Sequence, residues 1–132
     1  MASFEVKGFE ELLTQLDKLG RFDEVAPKMM KAGMEILQEE VVAEASKHKD
    51  TGAMAASIKP TGLMAGYGGG YYMCTRPTGR DKKGVRNMEK MVYLEFGVKG
   101  RPATPVITSA VIRAEPRVLQ AMQEAFNREV MQ

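Results

Sequence analysis

The chain of 132 residues contains one cysteine, one histidine and no tryptophan. The lone Cys74 excludes an internal disulfide and a cysteine zinc site, and is best read as a small buried apolar residue. With His48 as the single histidine, any Ser-His-Asp or Cys-His machinery would have to be built around it. It stands instead among Lys47, Lys49 and Asp50 at the end of an expected helix, where a cation meets exposed carbonyls. No apolar run approaches the roughly 20 residues of a membrane span. The opening Met1-Ala2-Ser3-Phe4-Glu5 lacks the basic and apolar regions of a signal peptide, so the expectation is a protein that stays in the cytosol.

What is present is ordinary for a globular chain: 44% hydrophobic and 27% charged residues, which argues against disorder and against collagen-like or coiled-coil composition. A chain of this length buries roughly two thirds of its unfolded surface, enough for one core, and residues 1–132 are expected to form a single domain. The formal net charge of +2 hides an asymmetry. Residues 1–50 carry 7 Lys/Arg against 11 Asp/Glu, net −4, whereas residues 76–101 carry 8 against 3, net +5. A head-to-tail ring of copies can use such a separation; solvated helix faces and a solvated loop account for it equally well.

Apolar periodicity predicts the elements. Ser3 to Lys7 alternates like a short strand, and Phe9, Leu12, Leu13, Leu16 and Leu19 then fall at helical spacing before Gly20, giving a helix over 8–19. Asp23 is a candidate cap for a second helix over 24–47, striped by Met30, Met34, Leu37, Val41 and Ala45, with Pro27 in its first turn. After Thr51-Gly52 the pattern changes to two strands, 57–64 and 70–76, joined by glycines, and a third apolar run at 91–96 completes a small, mostly antiparallel sheet. Pro105 can open a last helix at 106–131, which Pro116 should kink or restart near Glu115. The fold class expected is α+β.

The candidate motifs carry little chemistry. Gly66-Tyr67-Gly68-Gly69-Gly70 lacks the Lys-Ser/Thr ending of a phosphate loop and reads as a hairpin turn. Glu35, Glu39, Glu40 and Glu44 lie on a helix face without histidine or aspartate partners at metal-ligand spacing. No catalytic, cofactor-binding or metal-binding residues are assigned. Eleven methionines suit irregular cores and adaptable interfaces alike. The candidates for partner contact are Arg80, Lys82, Lys83 and Arg86 in an exposed, mobile loop from Pro77 to Asn87, together with Glu95, Lys99 and Arg101. Glu95 lies inside Tyr93-Leu94-Glu95-Phe96-Gly97, so it should be partly desolvated and need a cation such as Lys99 or Arg101, in its own chain or across subunits. The basic loop has no interleaved aromatic residue for base stacking, which places DNA contact behind protein contact.

Three segments carry a family resemblance: Phe4-Glu5-Val6-Lys7-Gly8-Phe9-Glu10-Glu11-Leu12, Thr51-Gly52-Ala53-Met54-Ala55-Ala56-Ser57-Ile58, and Tyr93 through Pro102-Ala103-Thr104-Pro105 to Ala110. In that order and spacing the chain resembles the gene-product-ten-like tail-component family of long-tailed bacteriophages. It departs from the family's pattern at Val106-Ile107, where an aromatic residue usually follows the second proline, and at Val98, where a small polar residue often follows the glycine. The resemblance implies a virion protein of the tail-completion or neck region, made in the host cytoplasm and assembling in several copies at the head-tail junction without enzymatic chemistry. It implies as partners the tail terminator, the head-tail connector and further copies of the chain. The alternative is a nucleic-acid-binding module that uses the basic loop.

Overall fold

A computed structural model describes residues 20–48, 52–66 and 70–130. The strand expected at 3–7 and the helix expected at 8–19 lie outside the described residues. The elements are α1 (Phe22–Ser46), α2 (Ala53–Ala56), β1 (Ile58–Pro60), β2 (Met64–Ala65), β3 (Tyr71–Tyr72), β4 (Thr75–Pro77), α3 (Asn87–Phe96) and α4 (Ile107–Val130). The class is α+β, as the periodicity predicts.

Helix α1 begins two residues earlier than expected. Asp23 does not cap it; Arg21 occupies that position without a side-chain bond, while Asp23 and Glu24 place negative charge in the first turn, where the helix dipole favours it. Helices α1 and α4 pack antiparallel. Val25 and Met29 meet Ala125 and Phe126 at one end, and Leu37, Val41 and Ala45 share a core with Ala110, Ala114 and Val118 at the other. Small residues let the axes approach: a Cβ on Gly33 would stand 3.0 Å from Met122 Cγ and 3.2 Å from Val118 Cγ1. The spacing therefore leaves almost no room at Gly33.

The two hairpin strands form as expected, with a break. Ile58↔Pro77 and Pro60↔Thr75 pair in one register, whereas Met64↔Tyr72 and Ala65↔Tyr71 pair one residue out of step. The residues between these pairs number one more on the first arm than on the second, as in a bulge. Gly66 N–H donates to Gly70 carbonyl at 2.7 Å, so the glycines close a turn. The hairpin lies along α1: Gln38 donates to the Ile58 carbonyl and accepts from the fully buried Thr75 hydroxyl, and Tyr71 stacks on Phe22 with ring centroids 5.8 Å apart.

The third strand does not form. Residues 91–96 are not a third strand but part of helix α3, so the sheet consists of two antiparallel pairs. Aromatic and β-branched residues suggested a strand, yet only Met91 and the half-buried Leu94, three residues apart, turn toward the core. That spacing is one helical face. Of the kink or restart expected near Glu115, the restart is absent: α4 is one helix from Ile107 to Val130, with Pro116 inside it. The bond Pro116 cannot make would have gone to the carbonyl of Ile112; both residues are exposed, so water can serve that carbonyl.

Candidate assembly surface

Helix α3 and the two turns that flank it form one corner of the molecule. Its first turn is fixed from the β4 side: Asn87 side-chain N–H donates to Thr78 carbonyl at 2.8 Å, and Asn87 backbone N–H to Gly79 carbonyl at 3.0 Å. Only Asn87 and Met91 of its ten residues are buried. The outward side carries Val92, Tyr93 and Phe96, the last 78% exposed, and Val98 continues the apolar surface beyond the helix. A large aromatic residue left in water on a helix so little buried marks a face without a partner among the described residues.

The basic loop is exposed and carries its own set of hydrogen bonds. The Asp81 carboxylate accepts the backbone N–H groups of Lys83 and Val85, each at 2.9 Å, and pairs with Lys90 Nζ at 2.6 Å. Lys90 first, and the two N–H groups with it, hold the Asp81 carboxyl below the usual carboxylate range. Arg80 and Arg86 face each other across the turn, and the Arg80 guanidinium donates to Gly84 carbonyl at 2.9 Å. Within the loop expected from the sequence to be exposed and mobile, the structure adds an aspartate that binds the turn's own N–H groups. With Asp81 directed inward, Arg80, Lys82, Lys83 and Arg86 remain exposed and form no ion pair among the described residues.

Glu95 is half-buried, as expected, but its partner is not a cation. One carboxylate oxygen accepts Ile107 N–H at 2.8 Å; the other accepts Thr108 N–H at 3.2 Å and the Thr108 hydroxyl at 2.6 Å. Glu95 thus caps α4 from across the turn, where unpaired N–H groups and the positive end of the helix dipole meet a carboxylate. Burial pushes its carboxyl up, but the Thr108 hydroxyl and the N–H groups of Ile107, Thr108 and Val106 outweigh this and hold it below the ordinary value. The expected pairing with Lys99 or Arg101 is absent because the helix end offers several donors at once. Lys99 and Arg101 lie exposed on a turn closed by Val98 and Arg101 backbone bonds of 3.1 and 2.9 Å, with no ion pair among the described residues.

Gly97 makes that turn possible. Its φ is +78°, and a Cβ there would lie 2.9 Å from Ala103 N and 3.0 Å from Arg101 O, both backbone atoms. Beside the turn is a cavity of about 490 Å³, walled by Ala45, Met54, Tyr93, Leu94 and Val98, with His48, Lys90 and Arg101 at its polar positions. The sequence reading named Glu95 and the cations here but missed Tyr93 and Phe96 as exposed groups. Their i, i+3 and i, i+4 relation to Glu89, Val92 and each other is legible only once the segment is read as a helix.

Among the described residues no group of three or more His, Cys, Asp or Glu is placed to hold a metal ion, and no helix is long and apolar enough to cross a membrane. Fold and surface together define a small α+β protein that leaves a cluster of apolar and cationic groups uncovered at the α3 corner. The chain belongs to the family described as Bacteriophage HK97-gp10, putative tail-component, whose model matches residues 10–97. Membership places it among bacteriophage tail components, structural proteins of the virion. The match contains α1 to α3 and ends at Gly97, so Lys99, Arg101 and α4 lie beyond it. No curated protein and no solved structure matches the chain.

Proposed function

We propose that this chain is a non-enzymatic virion protein of the tail-completion or neck region that assembles in several copies where head and tail join. The observation that carries the reading is the α3 corner, where Phe96 is 78% exposed beside cations that have no acidic partner among the described residues. A surface of that kind is stable in water only at some cost and is relieved when another protein covers it. Arg80, Lys82, Lys83, Arg86, Lys99 and Arg101 act there as contacts for acidic surfaces of neighbouring subunits, which are further copies of this chain, the tail terminator and the head-tail connector. Glu95 acts indirectly, by fixing the turn that presents Lys99 and Arg101. The protein works in the virion neck and passes through the host cytoplasm during assembly.

Deleting the gene in the phage or prophage tests this. The expected result is loss of infectious particles, with filled heads and separate tails visible by electron microscopy. Normal particle counts, or absence of the protein from purified virions by mass spectrometry, would overturn the reading.

One observation favours the second reading, contact with nucleic acid: Asp81 is the acid inside the basic turn, and it is consumed by Lys90 and two backbone N–H groups. Four exposed cations on a short turn suit a phosphate backbone. Duplex binding that weakens steeply with salt and disappears in Lys82→Ala/Lys83→Ala would support it, and binding unaffected by those substitutions would end it.

A further inference from the structure

We propose that the cavity beside α3 is the seat of the N-terminal segment, residues 4–19, of a second copy of this chain. The site has two matched parts. Its walls, Ala45, Met54, Tyr93, Leu94 and Val98, are apolar, and its volume of about 490 Å³ has room for several large side chains. Arg101 lines the cavity and Lys99 stands on the same turn, both exposed and neither engaged in an ion pair among the described residues, because the carboxylate nearest in sequence, Glu95, is spent on the N-terminus of α4. The occupant that satisfies both parts is an acidic amphipathic segment.

Residues 1–19 have that character. They carry Glu5, Glu10, Glu11 and Asp17 against Lys7 and Lys18, and the apolar residues Phe9, Leu12, Leu13, Leu16 and Leu19 recur at helical spacing. Among the described residues the other acids near the corner are committed: Asp81 to Lys90, Glu44 to Arg113 and Lys47, Glu89 to the Tyr93 hydroxyl. Charge complementarity therefore points to the N-terminal segment.

Reach decides which copy supplies it. The segment joins the described chain at Gly20, at the start of α1, where Arg21 contacts Glu129. The cavity lies at the opposite end, at Ala45 and His48. The 25 residues of α1 span about 37 Å at 1.5 Å per residue. Whatever its conformation, the eight residues from Gly20 back to Leu12 can span at most about 29 Å, and Leu13, Leu16 and Leu19 reach less. The apolar stripe of a chain's own segment therefore falls short of its own cavity, whereas a neighbour's does not. Linked in this way, each copy gives a segment to one neighbour and receives one from another, a heterologous contact of the kind that closes rings. The proposal rests on the reading of the chain as a part used in several copies, but particle counts test that reading and the following experiment tests this one.

In the full-length chain with Cys74→Ser, Leu13→Cys is placed in one preparation and Val98→Cys in another; the two are mixed and mildly oxidised. A disulfide-linked heterodimer is expected, and a chain carrying both substitutions should give linked dimers and larger species rather than an internally closed monomer. In parallel, with the native Cys74 retained, sedimentation of the full chain should show concentration-dependent association. Lys99→Glu with Arg101→Glu should weaken that association by about tenfold or more, since like charges then face each other, and Glu10→Lys with Glu11→Lys in the same chain should restore it. An internally closed monomer would show that the segment folds onto its own copy. A chain that stays monomeric at every soluble concentration, or an association indifferent to the charge swaps, would overturn the proposal equally, the last by placing the contact elsewhere.

Discussion

The α1–α4 pair and the α3 corner use the same kinds of residue to opposite effect. Along the pair, Leu37, Val41 and Val118 are all but fully buried, and the charges between the helices are matched: Arg113 reaches Glu44 and Glu40, Arg117 reaches Glu40, and Lys28 meets Glu129 at 2.9 Å. Hydrogen bonds from Arg113, and then from Lys47, hold the Glu44 carboxyl below its usual range. At the corner, by contrast, Val92, Tyr93, Phe96 and Val98 face water, and Lys99 and Arg101 stand without acids among the described residues. Apolar residues and cations stabilise a fold only when something opposes them. The pair has its opposing half within the chain; the corner has none among the described residues.

Substitutions can break that contrast. The largest loss is expected inside the pair, where Leu37→Ala should lower the unfolding free energy by about 2–5 kcal/mol in denaturant titrations. Gly97→Ala comes next. With φ +78° and ψ 170° its backbone lies in an extended positive-φ region that only glycine adopts readily, which costs a residue with a Cβ about 1–3 kcal/mol, and the contact with the Ala103 backbone adds to it, so a loss of at least that size is expected in the same titration. Because Gly97 aims the turn, assembly should fail in this variant as well.

Glu95→Ala removes the cap of α4 and should cost about 1–2 kcal/mol, as losing a helix cap does. The pH dependence sharpens the same point. The Glu95 and Glu44 carboxyls lie below their unfolded value of about 4.3, so the stability they contribute is complete above that pH and is lost as pH falls through their lower folded values. Thermal melts between neutral pH and pH about 3 should therefore fall less steeply in Glu95→Gln than in the parent. An unchanged slope would show that the cap contributes no pH-dependent stability.

The smallest effect on the fold is expected at the corner, and it is the most informative. Phe96→Ser and Tyr93→Ser should leave stability within about 0.5 kcal/mol of the parent, as surface substitutions do, while lowering the yield of infectious particles in complementation. Variants that melt like the parent and complement fully would mean that the exposed corner is not an assembly surface.

Much of the fold was legible beforehand because burial imposes a period. Met34, Leu37, Val41 and Ala45 announce α1, Ala110, Ala114 and Val118 announce α4, and the glycines between two short apolar runs announce the hairpin. The segment Met91–Phe96 was misread because nearly every residue in it is large and apolar, which removes the contrast from which a period is read. Cys74 was correctly placed in the interior, since a small apolar residue flanked by strand formers has few other uses.

The amino-acid sequence by itself determined the class of fold, the two long helices, the hairpin and the surplus of positive charge between residues 76 and 101, all of which are local in pattern or composition. Only the tertiary structure decided what each charge meets. Glu95 serves the α4 N-terminus rather than Lys99 or Arg101, and Asp81 serves its own turn, because a carboxylate goes to whichever donors the packing of separate elements brings within about 3 Å. Spacing along a chain does not specify that distance.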